Sequence, residues 1–353
     1  MRIRYSTSED GKPVQQAYIY TRDEHGIDRK NVDVEALKVL RRLRAGGHNA
    51  YIVGGAVRDL VLGRTPKDFD IATDAPPGRI RKLFRNSRII GKRFRLVHIF
   101  FRDQIIEVST FRAEESGGFN NVFGAIEEDV KRRDFTINAL YFEPDEGIIL
   151  DYVGGYEDIL GGKLKPVIPI ERIFTEDPVR MVRAIKYAQT GGFKIQGPLK
   201  RQIKRNCELM EQCPASRLTE ELFKILSSGA TRPIFEQLHQ FGLLKYMLPS
   251  VTFFLEGRKF SEFQNRFFES LGRLDERRAA GEEVGRDMEI AHLTADFLFL
   301  ISESGKEQRV PFKEAFTEIK QFIRPASPPN KDVERALVHL LRKRKTYRKT
   351  AHI

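Results

Sequence analysis

The chain has 353 residues, 41% hydrophobic and 31% charged; that is enough for two or more globular domains, with no unbroken apolar run of membrane-spanning length. Its 61 basic and 49 acidic side chains give a formal net charge of +12, suited to a polyanionic partner, but charge alone does not choose between RNA, DNA and an anionic membrane. Two cysteines, Cys207 and Cys213, are too few for a disulfide framework or a zinc site, and the amino-terminal residues lack a secretory apolar core, so a reducing cytoplasm is expected.

In chain order, residues 33–46 have helical periodicity, with Val34, Leu37, Leu40 and Leu43 on one face. Residues 50–53 read as a short strand, Gly54 and Gly55 as a tight turn, and 56–62 as a helix. A strand follows at 69–73, then a proline-opened helix at 77–85. Residues 94–101 and 104–111 predict a hairpin around Arg102 and Asp103, 127–142 a helix-to-strand passage, and 148–151 a last strand. Beyond about residue 155 the strand signal stops. Helices are expected at 176–190, 199–211, 217–228, 231–241, 262–280, 310–322 and 332–343, with 324–330 as a hinge or loop. Strands first and helices later predict an α+β chain: a head with a small mixed or antiparallel sheet, then an all-helical body. The expected division is an N-terminal extension over 1–30, a catalytic head over 31–155, a helical neck and body over 156–250, and a helical C-terminal RNA-binding region with a basic tail over 251–353.

The strongest local signal for chemistry is the Asp-Phe-Asp of residues 68–70. On a strand, Asp68 and Asp70 share a face while Phe69 turns into the core. Two carboxylates so held are unfavourable unless a cation lies between them, and hard oxygen donors suit Mg²⁺ that also holds phosphate. The plain alternative is an acidic, solvent-facing strand end. Upstream, Gly54 and Gly55 let backbone N–H groups approach a phosphate, and Arg58, one helical turn on, can reach a triphosphate. Glu107, flanked by Ile106 and Val108, is placed to supply a third carboxylate from an adjacent strand, or is an ordinary edge-strand glutamate. Asp177, Arg180 and Arg183 are spaced i, i+3, i+6 along one helix face, with Pro178 tolerated in the first turn. A carboxylate beside a guanidinium can match the mixed donor and acceptor pattern of a base edge; a surface ion pair is the plain alternative. Lys92, Arg93 and Arg95 lie near the carboxylate strands, where RNA phosphate could run, and His98 reads as a core histidine in mid-strand. The run Arg342, Lys343, Arg344 and Lys345 suits phosphate tracking or a solvated helix end.

GGAVRDLVLG at 54–63 followed by KDFDIAT at 67–73 resembles the head of the polymerase β nucleotidyltransferase superfamily, and within it the branch of tRNA CCA-adding enzymes and bacterial poly(A) polymerases. KRRDFTINAL at 131–140, DYVGGYEDI at 151–159 and TEDPVRMVRAIKYA at 175–188 agree in order and spacing. The resemblance runs from about residue 31 to 249 and is faint beyond 250. It implies a polymerase-β-like head in which Asp68 and Asp70 bind two Mg²⁺ ions, with Mn²⁺ as a substitute. It implies that Gly54, Gly55 and Arg58 hold the triphosphate, that Asp134 is a further catalytic acid, and that Glu107 is the third strand carboxylate. Arg133 and Asn138 then shape the nucleotide pocket, Asn138 near the sugar. Asp177 and Arg180 read the base edge, supported by Arg183. Residues 89–100, IIGKRFRLVHIF, and the segment from His25, HGIDRKNVDVEALKVL, resemble the poly(A) branch. They imply ATP-dependent, template-independent extension of RNA 3′ ends by a monomeric cytoplasmic enzyme without a membrane partner. The alternatives are CCA or A addition to tRNA at the same site and, from another class, an RNA-binding protein with an inactive head. Two departures bear on this. Residues 113–126 are short and read Asn120-Asn121 where the family has Asp-Asn, which implies relaxed base selection. The helical body also ends early, which bears on primer grip.

Overall fold

Short runs rich in Val, Ile, Tyr and Phe assemble into a nine-stranded sheet in the first of two units, Met1–Ile170, while the second, Glu171–Ile353, is helical. The structure is a computed structural model and describes residues 2–7, 13–91, 95–113, 123–257, 261–303 and 311–350. The strands are β1 Arg2–Thr7, β2 Pro13–Thr21, β3 Ala50–Val53, β4 Asp70–Thr73, β5 Ser87–Ile90, β6 Leu96–Phe100, β7 Ile105–Thr110, β8 Leu140–Glu143 and β9 Ile148–Asp151. Their spatial order is β1-β2-β9-β8-β3-β4-β7-β6-β5. Every pair is antiparallel except β4 with β7. One lateral row of the register runs Tyr141, Val53, Asp70, Glu107, His98, Arg88 across six strands. The polymerase-β-like α+β expectation is met: a mixed-sheet head followed by helices.

Helices α1 Arg22–His25, α2 Val34–Ala45, α3 Gly55–Val61, α4 Pro77–Leu83, α5 Ile126–Lys131 and α6 Gly155–Leu160 complete this unit. Asp33 caps α2 by accepting from the amides of Glu35 and Ala36 at 2.8 and 2.9 Å. The buried face of α2 is Ala36, Val39, Leu40 and Leu43, the i, i+3, i+4, i+7 stripe; Val34, expected inside, is 62% exposed in the first turn. The strands that sequence periodicity missed are β1, β2 and β5, all at or near a sheet edge. Part of β2 pairs with β9, Tyr18 opposite Asp151. The segment after it is tied down as well. Tyr20 stacks on Tyr156 at 4.0 Å, and the Tyr156 hydroxyl donates to the Glu24 carbonyl at 2.9 Å. Buried His25 accepts the Ile27 amide at Nδ1 and so donates from Nε2 to the Gly147 carbonyl, and its burial lowers its pKa, keeping the ring neutral.

The DYVGGYEDI block has a structural reason. Asp151 is fully buried; its Oδ1 accepts the amides of Val153, Gly154 and Gly155, and its Oδ2 that of Tyr156, at 2.8–3.0 Å. This caps the start of α6 with one charged group. A Cβ on Gly155 would lie 2.1 Å from the Thr136 carbonyl oxygen, so only glycine lets α6 press on the 3₁₀ turn Thr136–Asn138. Asp158 secures the same turn by accepting from the Thr136 hydroxyl at 2.8 Å.

In the second unit the helices are α7 Ile173–Glu176, α8 Val179–Gly191, α9 Gly197–Asn206, α10 Ala215–Leu226, α11 Thr231–Gln240, α12 Leu244–Met247, α13 Pro249–Glu256, α14 Ser261–Ala279, α15 Arg286–Glu303, α16 Phe312–Phe322 and α17 Asn330–Thr350. The helix expected over 176–190 is broken: Asp177 is extended at φ −154°, because the ring of Pro178 disfavours a helical residue before it. Helix α15 escaped periodicity because its apolar residues do not keep to one face; Ile290, Ala291, Leu293, Phe297 and Leu298 are all buried. Phe297 stacks on Phe322 at 4.0 Å in an aromatic core that also holds Phe254 and Phe263. No helix among the described residues is long and apolar enough to cross a membrane. On α10, buried Glu221 takes Arg183 Nε at 2.9 Å and Lys186 Nζ at 3.1 Å, with Lys224 Nζ at 3.6 Å. Burial acts to raise its pKa, but Lys186, Arg183 and Lys224 outweigh it and bring the carboxyl from 4.5 down to about 2.

Two stability predictions follow from these buried carboxylates. Asp151→Ala strands four amides, two of them buried, and should lower the urea unfolding free energy by about 3 kcal/mol; a loss below about 1 kcal/mol would contradict the cap. Glu221→Gln leaves buried cations uncompensated and should cost roughly 3 kcal/mol at neutral pH. A depressed carboxyl pKa stabilises above its unfolded value and loses that stabilisation as pH falls. The gap between wild type and Glu221→Gln should therefore narrow from pH 4.5 down to about 2. A gap independent of pH over that window would refute it.

Candidate active site

Strand β3 ends at Val53 and the chain turns at Gly54 with φ +72°, a conformation that side-chain-bearing residues rarely adopt. A Cβ at Gly54 would sit 3.9 Å from Asp70 Oδ2 and 4.0 Å from an Arg133 nitrogen, so the glycine brings bare backbone up to both groups. At Gly55 a Cβ would meet the Arg58 guanidinium at 3.4 Å. The Arg58 side chain thus folds back over the first turn of α3, adding its charge to the positive end of the helix. Arg58 donates to Asp59 Oδ1 through Nε and Nη2 at 2.9 and 2.8 Å, and to Asn138 Oδ1 through Nη1 at 2.9 Å. The Asn138 amide donates in turn to Asp134 Oδ1 at 3.2 Å, which also accepts the Phe135 amide at 2.8 Å. Arg58, Asn138 and Asp134 therefore form one hydrogen-bonded line, resting on the 3₁₀ turn held by α6.

Asp68 lies two residues ahead of Asp70, the first residue of β4. Both are exposed, and Phe69 between them is buried. Glu107 is the lateral neighbour of Asp70, and its Oε2 lies 3.2 Å from His98 Nε2, so the third carboxylate leans toward β6. Among the described residues no three acidic, histidine or cysteine side chains form a ready metal cage. Arg133 is built into the core: it donates to the Tyr141 hydroxyl, the Asn138 carbonyl and Asp129 at 2.9, 3.1 and 3.0 Å, and lies over the Tyr141 ring. Tyr141, whose pKa burial pushes well up, donates to Asp129 at 2.6 Å. Lys92 and Arg93 lie outside the described residues, as do Asn120 and Asn121; Arg95 is exposed just ahead of β6. Arg342, Lys343, Arg344 and Lys345 fall on α17, with side chains outside the described residues.

In the helical unit the predicted trio is spread over different partners. Asp177 stands before α8 rather than on it; its Oδ1 accepts the Val179 amide at 3.3 Å and its Oδ2 takes Arg217 at 2.7 Å. Arg180 donates to the Ile173 carbonyl at 3.1 Å and to Glu176 at 3.3 Å, while Arg183 is tied to Glu221. Sequence reading missed Arg217 and Glu221, which hold this end of α8. Their i, i+4 spacing on α10 was the available signal. It also missed Asp129, whose position four residues before Arg133 was legible.

Two family domains match this chain: "Poly A polymerase head domain" over residues 50–165 and "Probable RNA and SrmB- binding site of polymerase A" over 192–255. Poly(A) polymerase I of Salmonella typhi is 43% identical over 250 residues, 66% of this chain and 54% of that protein. The CCA-adding enzyme of Bacillus subtilis (strain 168) is 37% identical over 217 residues, 60% of this chain and 54% of that protein. The chain thus spans about half the length of the curated relatives it matches. Among solved structures, the CCA-adding enzyme of Bacillus stearothermophilus in complex with CTP superposes with a TM-score of 0.59 at 25% identity, covering 88% of this chain and 82% of that one. With its glycine pair, its carboxylates Asp68 and Asp70 at the start of β4 and these matches, the chain belongs to the family of bacterial poly(A) polymerases and tRNA nucleotidyltransferases.

Proposed function

We propose that this chain extends RNA 3′ ends with adenylate, ATP and an RNA 3′-hydroxyl giving RNA-A(n) and pyrophosphate without a template. The observation that supports the reading is the approach of exposed Asp70, with Asp68 two residues ahead and Glu107 alongside, to the bare backbone at Gly54, while the Arg58 guanidinium lies against the adjoining Gly55. The poly(A) branch is favoured over CCA addition because the poly(A) relative matches more of the chain at higher identity than the CCA-adding one.

Asp68 and Asp70 offer hard, exposed oxygen donors and no sulfur or imidazole of their own, a set that fits Mg²⁺, or Mn²⁺ in its place. Two such ions, when bound, would lower the pKa of the attacking hydroxyl and stabilise the leaving pyrophosphate. The 3′-oxygen attacks the α-phosphorus in line; the new O–P bond forms as the bond to pyrophosphate breaks, and the hydroxyl proton passes to solvent. Arg58 and the Gly54–Gly55 backbone bind the triphosphate and offset its charge. Asn138, oriented by Asp134 and Arg58, faces the sugar. Arg133 acts by fixing the wall of the pocket through Tyr141 and Asp129. Asp177 and Arg180 meet the base edge, Arg217 positioning Asp177 and Glu221 holding the supporting Arg183. In this reading residues 31–155 are the catalytic head, 156–250 bind nucleotide and RNA, and 251–353 add RNA contacts, in a cytoplasmic monomer. An RNA-binding protein with a dead head would have no use for two crowded, exposed carboxylates. CCA or A addition to tRNA uses the same site and is the second reading, favoured by the CCA-adding relative.

Asp70→Asn should abolish Mg²⁺-dependent transfer while leaving the thermal midpoint unchanged; a variant with near wild-type turnover would remove Asp70 from the site. Incorporation of ATP and CTP, separately and together, distinguishes the two branches. Long products from ATP alone on oligo(A) are expected. Addition that stops after completing CCA on a truncated tRNA would make the second reading the correct one.

A further inference from the structure

Within the helical unit, the end of α8, the first turns of α9 and the end of α11 enclose a cleft of about 680 Å³. Its rim carries four cations, Lys194, Lys200, Arg201 and Lys204, and no acidic side chain lines it. Several other cations of this unit are neutralised by acids: Arg183 and Lys186 share Glu221, Arg217 takes Asp177, and Arg278 takes Glu289. None of the four cleft cations has an ion pair among the described residues. Like charges gathered at one opening repel unless an anion enters. Two further groups are not explained by anion binding alone. Half-buried Phe241 lines the cleft with Lys204 Nζ 5.8 Å from its ring centre, an aromatic face beside a cation. The Gln237 carboxamide oxygen is buried at the same wall without a hydrogen-bond partner and calls for a donor.

Cations for phosphates, an aromatic face for stacking and an amide for a base edge form the combination that holds unpaired nucleic acid. We propose that this cleft is a subsite for single-stranded RNA, with Lys194, Lys200, Arg201 and Lys204 tracking the backbone, Phe241 stacking a base and Gln237 accepting from a base N–H. The proposal rests on the reading of the chain as RNA-directed, and adds, within the segment 192–255 matched to a probable RNA-binding domain, which cleft and which side chains hold a stretch of RNA other than the reacting 3′ nucleotide.

The test is fluorescence anisotropy of labelled oligo(A) with the full chain over a series of salt concentrations, comparing wild type, the double variant Lys200→Gln/Lys204→Gln, and Phe241→Leu. Each phosphate contact on a single strand contributes about 0.7 to the slope of log K against log salt, so the double variant should lose about 1.4 from that slope. It should also bind at least about tenfold more weakly at low salt. Phe241→Leu should weaken binding with the slope unchanged. A double variant with wild-type affinity and slope overturns the proposal. So does a cleft that binds polyglutamate as tightly as oligo(A) and is indifferent to Phe241→Leu, which would mark a surface for acidic protein segments. Adenylate transfer to a short primer is measured alongside. Its absence in wild type strikes the RNA-directed reading itself, whereas intact transfer with unchanged binding by the double variant strikes the cleft alone.

Discussion

The single parallel pairing in the sheet, β4 with β7, is the constraint on which the head depends. It sets Asp70 directly beside Glu107, an arrangement of like charges that costs of the order of 0.2–1 kcal/mol when the residues face each other. The same ladder buries Ile71, Ile106 and Val108 almost completely. Each such side chain contributes about 1.5–3 kcal/mol on leaving water. The apolar layer therefore wins comfortably, and the carboxylates are held together by packing beneath them rather than by any attraction of their own. His98 relieves part of the crowding by drawing Glu107 toward β6.

Around that layer, buried polar groups serve geometry. The trio of Asp129, Arg133 and Tyr141 closes one wall, Asp151 fixes the start of α6, and α6 fixes the turn that carries Asn138. Buried charges of this kind contribute little net stability over a well-packed apolar alternative, while removing one partner is expensive. Their value lies in permitting one arrangement of donors and acceptors. Arg58 is held across α3 from two sides, by Asp59 on its own helix and by Asn138 from the 3₁₀ turn.

Much of this was legible in the sequence where the cause is local. The Asp-Phe-Asp triplet, the glycine pair and the central strands β3, β4, β6 and β7 follow from alternation and turn chemistry within a few residues. The break at Asp177 was also legible, since Pro178 forbids the longer helix. The rest depends on partners far apart in the chain. Strands β1 and β5 at the sheet edges, and β2 next to one, carry weak alternation and are strands because a neighbour offers hydrogen bonds. Arg217 meets Asp177 from 40 residues away, and Glu221 meets Arg183 from 38. Helix α15, buried on several sides, has no single apolar face to announce it.

The docking of β2 on β9 also says where the head ends as a physical body. The matched head domain begins at residue 50, yet Ile148–Asp151 has one side of its ladder satisfied only by residues 18–21. Cut at residue 50, the head would present an open strand edge of Ile148, Ile149 and Leu150, together with the half of Tyr156 that Tyr20 covers. Bare edges of that composition recruit other strands. The boundary recognised by similarity and the boundary of the folding unit are therefore different places in the chain, and self-association, rather than lost chemistry, is what separates them.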